Sequence, residues 1–196
     1  MTRQDIIDES MSKFWNVRDE YKGKTLEELQ TICRNDALPF AVCAVNITGD
    51  LNLGMMIRTA SVFGAERFFI YGRHGYDRRS TVGAQNYIEI VKIGHIDRGT
   101  TELDYSELIP SLEDAGYTPI FIETGYDSLY GFDPAFDIPE NTKPCLVFGN
   151  EGVGIPKEII VEENAYSIPQ RGVLRSLNVS SAATVAINYL SQLYTG

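Results

Sequence analysis

The sequence predicts an α/β protein with an open, mainly parallel sheet and helices on both faces. From Pro39 onward, short apolar runs alternate with helical patterns, as they do in repeated strand–helix units. The chain has 196 residues, of which 43% are hydrophobic and 22% charged. That is long enough for one such domain with a sizeable core.

Residues 1–36 predict a short helical extension before the sheet domain, which comprises residues 37–196. The extension is polar and mixed in charge. Its apolar residues recur at weak helical spacing: Ile6, Ile7, Met11, Phe14 and Trp15. A second helix is expected after Thr25, because Glu28 stands three residues further on and completes a capping-box pattern.

Six segments are the predicted strands, since short runs rich in apolar residues are typical of the strands of a parallel sheet. They are Phe40–Val45, Arg67–Tyr71, Tyr87–Ile93, Pro119–Glu123, Cys145–Phe148 and Tyr166–Ile168. Helices are predicted from Leu53 to Phe63 and over Tyr105–Ala115, Pro156–Glu163 and Ser181–Leu193. The segment Tyr126–Lys143, rich in Asp, Pro and Gly, predicts a surface loop.

Several classes of protein are disfavoured by composition. No apolar run approaches the 18 residues of a membrane span, and the N-terminus has no apolar signal-peptide core. Cys33, Cys43 and Cys145 lie far apart without the spacing of metal ligands. Cys43 and Cys145 stand in apolar runs and are expected to be buried. We therefore expect a cytoplasmic protein without a metal or a membrane.

The first polar constellation follows the first predicted strand and consists of Asn46, Asn52, Gly54 and Arg58. Asn52 is a candidate N-cap, and Gly54 allows close backbone approach in the first helical turn. Arg58 stands among apolar residues of the same helix. Its side chain therefore either reaches solvent on the polar face or meets an anion.

The second constellation is the segment Phe148–Pro156, which lies between a strand and a predicted helix. Its glycines are spaced G-x-x-G-x-G, whereas dinucleotide-binding loops have G-x-G-x-x-G after the first strand. On the residues alone, the segment is either a structural turn or a ligand-binding loop.

The third constellation, Ile168–Ser180, runs from a strand end through a proline and a glycine to a helix of small residues. Polar side chains in that position lie where open α/β sheets bind ligands. Ser176 and Asn178 are either local turn and N-cap residues or site residues. A nucleophilic role for Ser176 lacks support, since nothing in the sequence joins His74 or His95 to it.

The formal net charge of −10 argues, taken alone, against nucleic-acid binding, because proteins that bind nucleic acid usually carry a basic footprint. Arginines are nevertheless clustered. Arg73, Arg78 and Arg79 follow the second predicted strand, and Arg175 stands beside Ser176. The cluster is either a solvated loop or a surface that contacts phosphates.

Together the three constellations resemble the motifs of the SpoU/TrmH-type RNA 2′-O-methyltransferases, a family of the SPOUT class. The first matches the form Asn…Asn-x-Gly-x-x-x-Arg. The third, Ile-Pro-x-x-Gly-x-x-x-Ser-Leu-Asn-Val-Ser, matches almost letter for letter. Gln170 stands where many bacterial members carry methionine, and Pro-Gln there is more similar to eukaryotic-type tRNA ribose methylases. The resemblance covers about residues 38–194, with the motifs in order.

The resemblance implies a C-terminal trefoil knot, a homodimer with a shared active site, and S-adenosylmethionine held by the second and third motifs. It implies these catalytic residues: Arg58, Asn52, Glu151, Ser176 and Asn178. Arg58 would bind an RNA phosphate and stabilise charge on the 2′ oxygen, and Glu151 would brace the second motif. The implied cofactor contacts are the backbone around Glu123, Thr124, Gly149, Asn150, Ile168 and Leu177.

The predicted function is therefore methylation of a ribose 2′-hydroxyl in structured RNA, tRNA or rRNA, with tRNA slightly favoured. Arg73, Arg78, Arg79 and Arg175 are expected to bind the RNA, unless an auxiliary protein holds it for this acidic chain. Two alternatives stay open. One is a catalytically inactive RNA-binding module of the same fold. The other is a nicotinamide-dependent oxidoreductase, which the missing G-x-G-x-x-G after the first strand disfavours.

Overall fold

The computed structural model describes residues 16–94 and 104–196. Six strands form one sheet in the order β3-β2-β1-β5-β4-β6, and every adjacent pair is parallel. The strands are β1 (Leu38–Val45), β2 (Ala65–Tyr71), β3 (Glu89–Ile93), β4 (Tyr117–Ser128), β5 (Lys143–Phe148) and β6 (Ala165–Ser167). The helices are α1 (Leu26–Asn35), α2 (Asp50–Val62), α3 (Arg78–Thr81), α4 (Leu108–Asp114), α5 (Pro134–Asp137) and α6 (Val179–Thr195).

Both faces of the sheet are covered, as the sequence predicts. On β1, Val42 and Ala44 pack into a cluster with α2 and α6, while Ala41, Cys43 and Val45 pack into a second cluster with α4. All five side chains are buried, because the strand has helices on both sides. This arrangement explains why β1 is continuously apolar rather than alternating with polar residues. Cys145 joins the second cluster, so the expected burial of both cysteines is confirmed.

The region before β1 is described from residue 16 onward. Thr25 caps α1 as predicted: its hydroxyl accepts the Glu28 N–H, and the Glu28 carboxylate accepts the Thr25 N–H. The Gln30 side chain donates to the Asn86 carbonyl, and Leu29 is buried, so α1 packs on the sheet domain. The helical spacing predicted around residues 6–15 lies outside the described residues, and a boundary after residue 36 stays a prediction.

Three sequence predictions are wrong in detail. Asn52 is not an N-cap: α2 begins at Asp50 with Gly49 as its cap, and the Asn52 amide is engaged elsewhere. The segment predicted as the loop 126–143 contains the end of β4, which pairs again with β6 after a bulge, as well as α5 and the start of β5. The segment predicted as the helix 156–163 forms two short 3-10 turns, since its centre is a β-branched run.

No helix in the described part of the chain has the length and apolar composition needed to cross a bilayer.

Candidate functional site

The three polar segments predicted from the sequence meet at the carboxyl edge of the sheet, where β1, β5 and β6 end. β1 and β5 are neighbours at the centre of the sheet. After β1 the chain turns to α2 on one face, and after β5 it turns to Ile155 and Ile159 on the other. Adjacent strands whose connections leave to opposite faces create the crevice in which open α/β sheets bind ligands.

Glu151 joins the second segment to the first. One carboxylate oxygen accepts the Thr48 N–H at 3.0 Å and the Thr48 hydroxyl at 3.1 Å. The other accepts the Gly49 N–H at 2.9 Å and the Asn52 side-chain N–H at 3.0 Å. Desolvation raises the pKa of Glu151, but the hydrogen bonds from Asn52, Thr48 and Gly49 outweigh it and lower the pKa from 4.5 to about 2. Glu151 is therefore an anionic brace, unsuited to exchanging protons near neutral pH.

Asn52 and Asn178 extend this network to the third segment. The Asn52 side-chain oxygen accepts an N–H of Asn178 at 3.1 Å. The oxygen of Asn178 in turn accepts the Ser180 N–H at 2.9 Å and the Ser180 hydroxyl at 2.6 Å, which caps α6. Both amides are thus oriented by a donor contact and an acceptor contact. The chain Glu151–Asn52–Asn178 connects all three segments.

Asn46 and Asn150 shape the turns that follow β1 and β5. Asn46 has a φ of +51°, a left-handed conformation that asparagine tolerates better than most residues. Its carbonyl accepts a side-chain N–H of Asn150 at 2.8 Å. The side-chain oxygen of Asn150 accepts the N–H groups of Gly152 at 2.8 Å and Val153 at 3.2 Å. The Asn46 backbone and the Asn150 side chain therefore hold the two loops together.

Gly149 and Gly154 let the second segment close on itself. A Cβ at Gly149 would lie 2.2 Å from the carbonyl carbon of Gly154. Gly154 has a φ of +73°, and a Cβ there would lie 2.4 Å from a Glu123 carboxylate oxygen. That oxygen accepts the Ile155 N–H at 3.1 Å. The family resemblance predicts cofactor contacts by the backbone around Glu123, and the structure shows that the Glu123 side chain supports the second segment.

A cleft of about 310 Å³ separates the middle of β4 from the third segment. It is lined by Thr124, Gly125, Tyr126, Ser167, Ile168, Pro169, Gln170, Leu174 and Arg175. The Ser167 hydroxyl ties its walls together, accepting the Tyr126 N–H and donating to the Glu123 carbonyl, both at 2.8 Å. Of the six predicted cofactor contacts, Thr124 and Ile168 line this cleft. Leu177 is exposed in the third segment.

Gly54 determines where the arginine-bearing helix α3 lies. A Cβ at Gly54 would be 1.8 Å from the Ser80 hydroxyl oxygen and 2.8 Å from the Asp77 carbonyl oxygen. The Asp77 N–H also donates to the Asp50 carbonyl at 3.1 Å. Because residues four apart share a helix face, α3 docks on the face of α2 that carries Arg58 one turn further on. The close approach predicted at Gly54 is therefore made by α3.

The arginines predicted to bind RNA are distributed unequally. Arg79 forms a bidentate ion pair with Asp77, in which Nη2 donates to Oδ2 at 2.7 Å and Nε donates to Oδ1 at 3.1 Å. The guanidinium groups of Arg58 and Arg78 have no hydrogen bond or ion pair with residues 16–94 or 104–196, and both side chains are exposed. Arg175 lines the cleft. The structure thus places Arg58 on the face of α2 where α3 docks, and Arg175 in the lining of the cleft.

Residues 39–188 match the model of the SpoU rRNA Methylase family. The chain belongs to this family. The match covers all three polar segments that the hydrogen bonds of Glu151, Asn52 and Asn178 connect. A comparison with curated protein sequences gives no match.

Solved structures of RNA-modifying enzymes share the fold, among them a TrmH/SpoU enzyme. A tRNA modifying enzyme of A. aeolicus has 18% identity and a TM-score of 0.68, with 87% of this chain and 85% of that chain covered. An AdoMet-bound rRNA methyltransferase of Sinorhizobium meliloti has 23% identity and a TM-score of 0.64. There 84% of this chain matches 59% of that enzyme, so the SpoU-family chain spans about three fifths of its length.

A third solved structure concerns the 2-OH methylation of C/U34 on tRNA. It has 21% identity and a TM-score of 0.64, with 80% of this chain and 97% of that chain covered. At these identities the likeness establishes the fold alone.

Proposed function

We propose that this SpoU-family protein transfers a methyl group from S-adenosylmethionine to a ribose 2′-hydroxyl of structured RNA. The observation that carries the proposal is the chain Glu151–Asn52–Asn178 at the crevice between β1 and β5. It holds Asn52 of the first motif and Asn178 of the third in fixed orientations beside a cleft of cofactor size. A transfer reaction needs this positioning of two reactants more than it needs a proton carrier.

The residues of the cleft fit S-adenosylmethionine. Ligand pockets of about 300–1,000 Å³ typically combine apolar walls with a few polar groups, and this cleft lies at the lower end of that range. Ile168, Pro169 and Leu174 supply apolar surface for an adenosine ring. Thr124 and Gln170 supply hydroxyl and amide groups for its polar edges. When bound, the cofactor supplies an electrophilic methyl group on a sulfonium.

Arg58 is the residue we assign to the RNA side of the reaction. Its guanidinium stays protonated in proteins and is not neutralised by a described acid, so it can bind a phosphate and stabilise negative charge that develops on the 2′ oxygen. Asn52 and Asn178 have little freedom to rotate and orient the loops around the hydroxyl. Ser176 is exposed in the third segment and is proposed to contact the substrate.

A homodimer is part of the proposal. Leu51, Met55 and Val62 form an exposed apolar stripe on α2 that contains Arg58. Exposed apolar stripes of this kind often mark interfaces. We propose that a second copy covers this stripe and that each Arg58 then acts at the site of the other subunit. The trefoil knot and a cytoplasmic location also stay predictions.

The test combines binding with transfer. Calorimetry should show stoichiometric binding of S-adenosylmethionine without RNA or added metal, and no saturable binding of NAD. Radiolabelled transfer to total tRNA and to rRNA, followed by mapping of 2′-O-methyl positions, identifies the substrate. The Arg58→Ala variant is expected to bind the cofactor as the wild type does and to lose transfer.

Other outcomes would select the alternatives. Binding of cofactor and RNA without transfer to any RNA would indicate the catalytically inactive module. Saturable NAD binding without S-adenosylmethionine binding would indicate the oxidoreductase, although membership of the SpoU family disfavours it.

A further inference from the structure

We infer that Arg175 binds the carboxylate of the cofactor's methionine moiety, and so selects a zwitterionic ligand over one that lacks this group. The inference rests on the proposed function, since it takes S-adenosylmethionine as the ligand of the cleft. It departs from the expectation that Arg175 belongs to the RNA-binding surface. Nothing in the three motifs assigns a role to this position.

The lining of the cleft carries the argument. Among the residues that form its walls, Arg175 alone has a charged side chain. Its guanidinium has no hydrogen bond or ion pair with any residue in the described ranges. The nearby carboxylate of Glu123 accepts the N–H groups of Ile155 and Thr124, so it is engaged by the backbone of neighbouring loops. Arg175 is therefore a cleft cation without a described counter-ion.

The chemistry of the ligand supplies the matching anion. S-adenosylmethionine carries one carboxylate, at the end of its amino-acid moiety. A guanidinium presents a planar pair of N–H donors that matches a carboxylate in bidentate geometry. Hydrogen bonds to charged groups contribute enough free energy to change affinity by about 10-fold or more.

Arg171 gives an internal contrast. It lies four residues before Arg175 in the same exposed segment, yet it does not line the cleft. Its positive charge belongs to the same segment but lies outside the lining of the cleft. A change at Arg171 therefore controls for general loss of positive charge from the third segment.

The experiment is a cycle of two ligands and four proteins, measured by calorimetry without RNA. The ligands are S-adenosylmethionine and decarboxylated S-adenosylmethionine, which differ only in the carboxylate. The proteins are the wild type, Arg175→Gln, Arg175→Lys and the control Arg171→Gln. The wild type and Arg171→Gln should prefer S-adenosylmethionine by about 10-fold or more. Arg175→Gln should bind both ligands equally, and Arg175→Lys should retain part of the preference because it keeps the charge.

Each outcome decides between the two proposals. A preference that persists in Arg175→Gln, or that is absent from the wild type, overturns the inference and leaves the proposed function intact. If the wild type binds neither ligand, the proposed function itself fails. An unchanged cofactor preference in Arg175→Gln, together with a salt slope of RNA affinity reduced by about 0.7–0.9, would return Arg175 to the RNA surface.

Discussion

Glu151 shows how a carboxylate can serve a site without exchanging protons. Its two oxygens accept hydrogen bonds from Thr48, Gly49 and Asn52, and these lower its pKa to about 2. A glutamine in its place would direct an amide N–H at the same donors. The role of the residue thus depends on its negative charge as well as its shape.

The first prediction concerns Glu151→Gln and its dependence on pH. The folded-state pKa lies below the ordinary 4.5, so the stabilising contribution is fully present above about pH 4.5 and is lost as the pH falls towards about 2. We expect the variant to lose about 1 kcal/mol of unfolding free energy at pH 7, a value reduced for the exposure of the residue. Urea unfolding of both proteins between pH 7 and pH 2.5 should show the difference in unfolding free energy shrinking below pH 4.5.

The control is Glu158→Gln, because Glu158 is exposed and takes no part in these hydrogen bonds. A difference independent of pH would contradict the anionic brace.

The second prediction separates two functions of Asn178. Asn178→Asp keeps the oxygen that caps α6 and adds a charge favoured at a helix N-terminus. It replaces the N–H that Asn52 accepts with an oxygen, and so creates repulsion inside the network. We expect the unfolding free energy to change by less than about 0.5 kcal/mol, while kcat falls by about 10-fold or more. Asn188→Asp, on an exposed part of the same helix, should leave both quantities unchanged. If Asn178→Asp lowers the unfolding free energy as well as kcat, the role of Asn178 is purely structural.

At the residue scale, the sequence predicts which side chains gather but not how they bond. The motif pattern assigns Asn52, Glu151 and Asn178 to one site, and the structure shows the hydrogen bonds that join them. It assigns the N-cap to Asn52 and overlooks Thr48, which donates twice to Glu151 from a position 103 residues away. Local spacing contains no information about hydrogen bonds over such separations.

Among the secondary-structure elements, the docking of α3 on α2 depends on one missing side chain. Gly54 lies inside α2, where alanine would ordinarily be favoured by about 1 kcal/mol. Here the added methyl group would overlap the Ser80 hydroxyl and press on the Asp77 carbonyl. Since a backbone oxygen cannot rotate away, α3 would have to move.

The third prediction is that Gly54→Ala destabilises the protein and weakens RNA binding. The expected loss of unfolding free energy is about 1–3 kcal/mol, as is typical of overpacking. RNA affinity should fall because Arg78 and Arg79 move with α3, while affinity for S-adenosylmethionine should be retained. Chemical denaturation and calorimetry measure the two effects.

Two further variants sharpen this test. Adding Ser80→Gly to Gly54→Ala removes the closest clash and should restore part of the stability. Gly131→Ala is the control, because a Cβ there meets no heavy atom within 4 Å. A Gly54→Ala variant more stable than the wild type would show that α3 adapts at no cost.

The sequence predicts strands that are buried on both faces better than strand ends that form only by pairing with a strand far along the chain. β1 and β5 lie at the centre of the sheet, and their continuous apolar runs reveal them. The end of β4 is polar, and it is a strand only because Asp127 and Ser128 pair with β6. That pairing follows a bulge, which no local sequence pattern predicts.

For the whole molecule, the distribution of charge matters more than its total. The net charge is −10, and the segment 126–142 contains four acids and no lysine or arginine. On the helices that follow the carboxyl ends of β1 and β2, by contrast, Arg58 shares a face of α2 with α3, which carries Arg78 and Arg79. An acidic protein can therefore present a basic surface at its site while the rest of its surface repels RNA.

The fourth prediction tests whether this basic surface holds the RNA. Arg78 has no ion-pair partner in the described part of the chain, whereas the charge of Arg79 is already balanced by Asp77. Arg78→Ala should therefore lower RNA affinity and reduce the slope of log affinity against log salt by about 0.7–0.9, the value for one phosphate contact. Arg79→Ala should have a smaller effect.

The control is Arg34→Ala, because Arg34 is an exposed arginine in the last turn of α1, just before β1 begins at the opposite edge of the sheet. Filter binding at four salt concentrations with each variant measures the slopes. If Arg34→Ala and Arg78→Ala change the slope equally, RNA binding does not depend on this basic surface. If neither changes it, the acidic chain needs an auxiliary protein to hold its substrate.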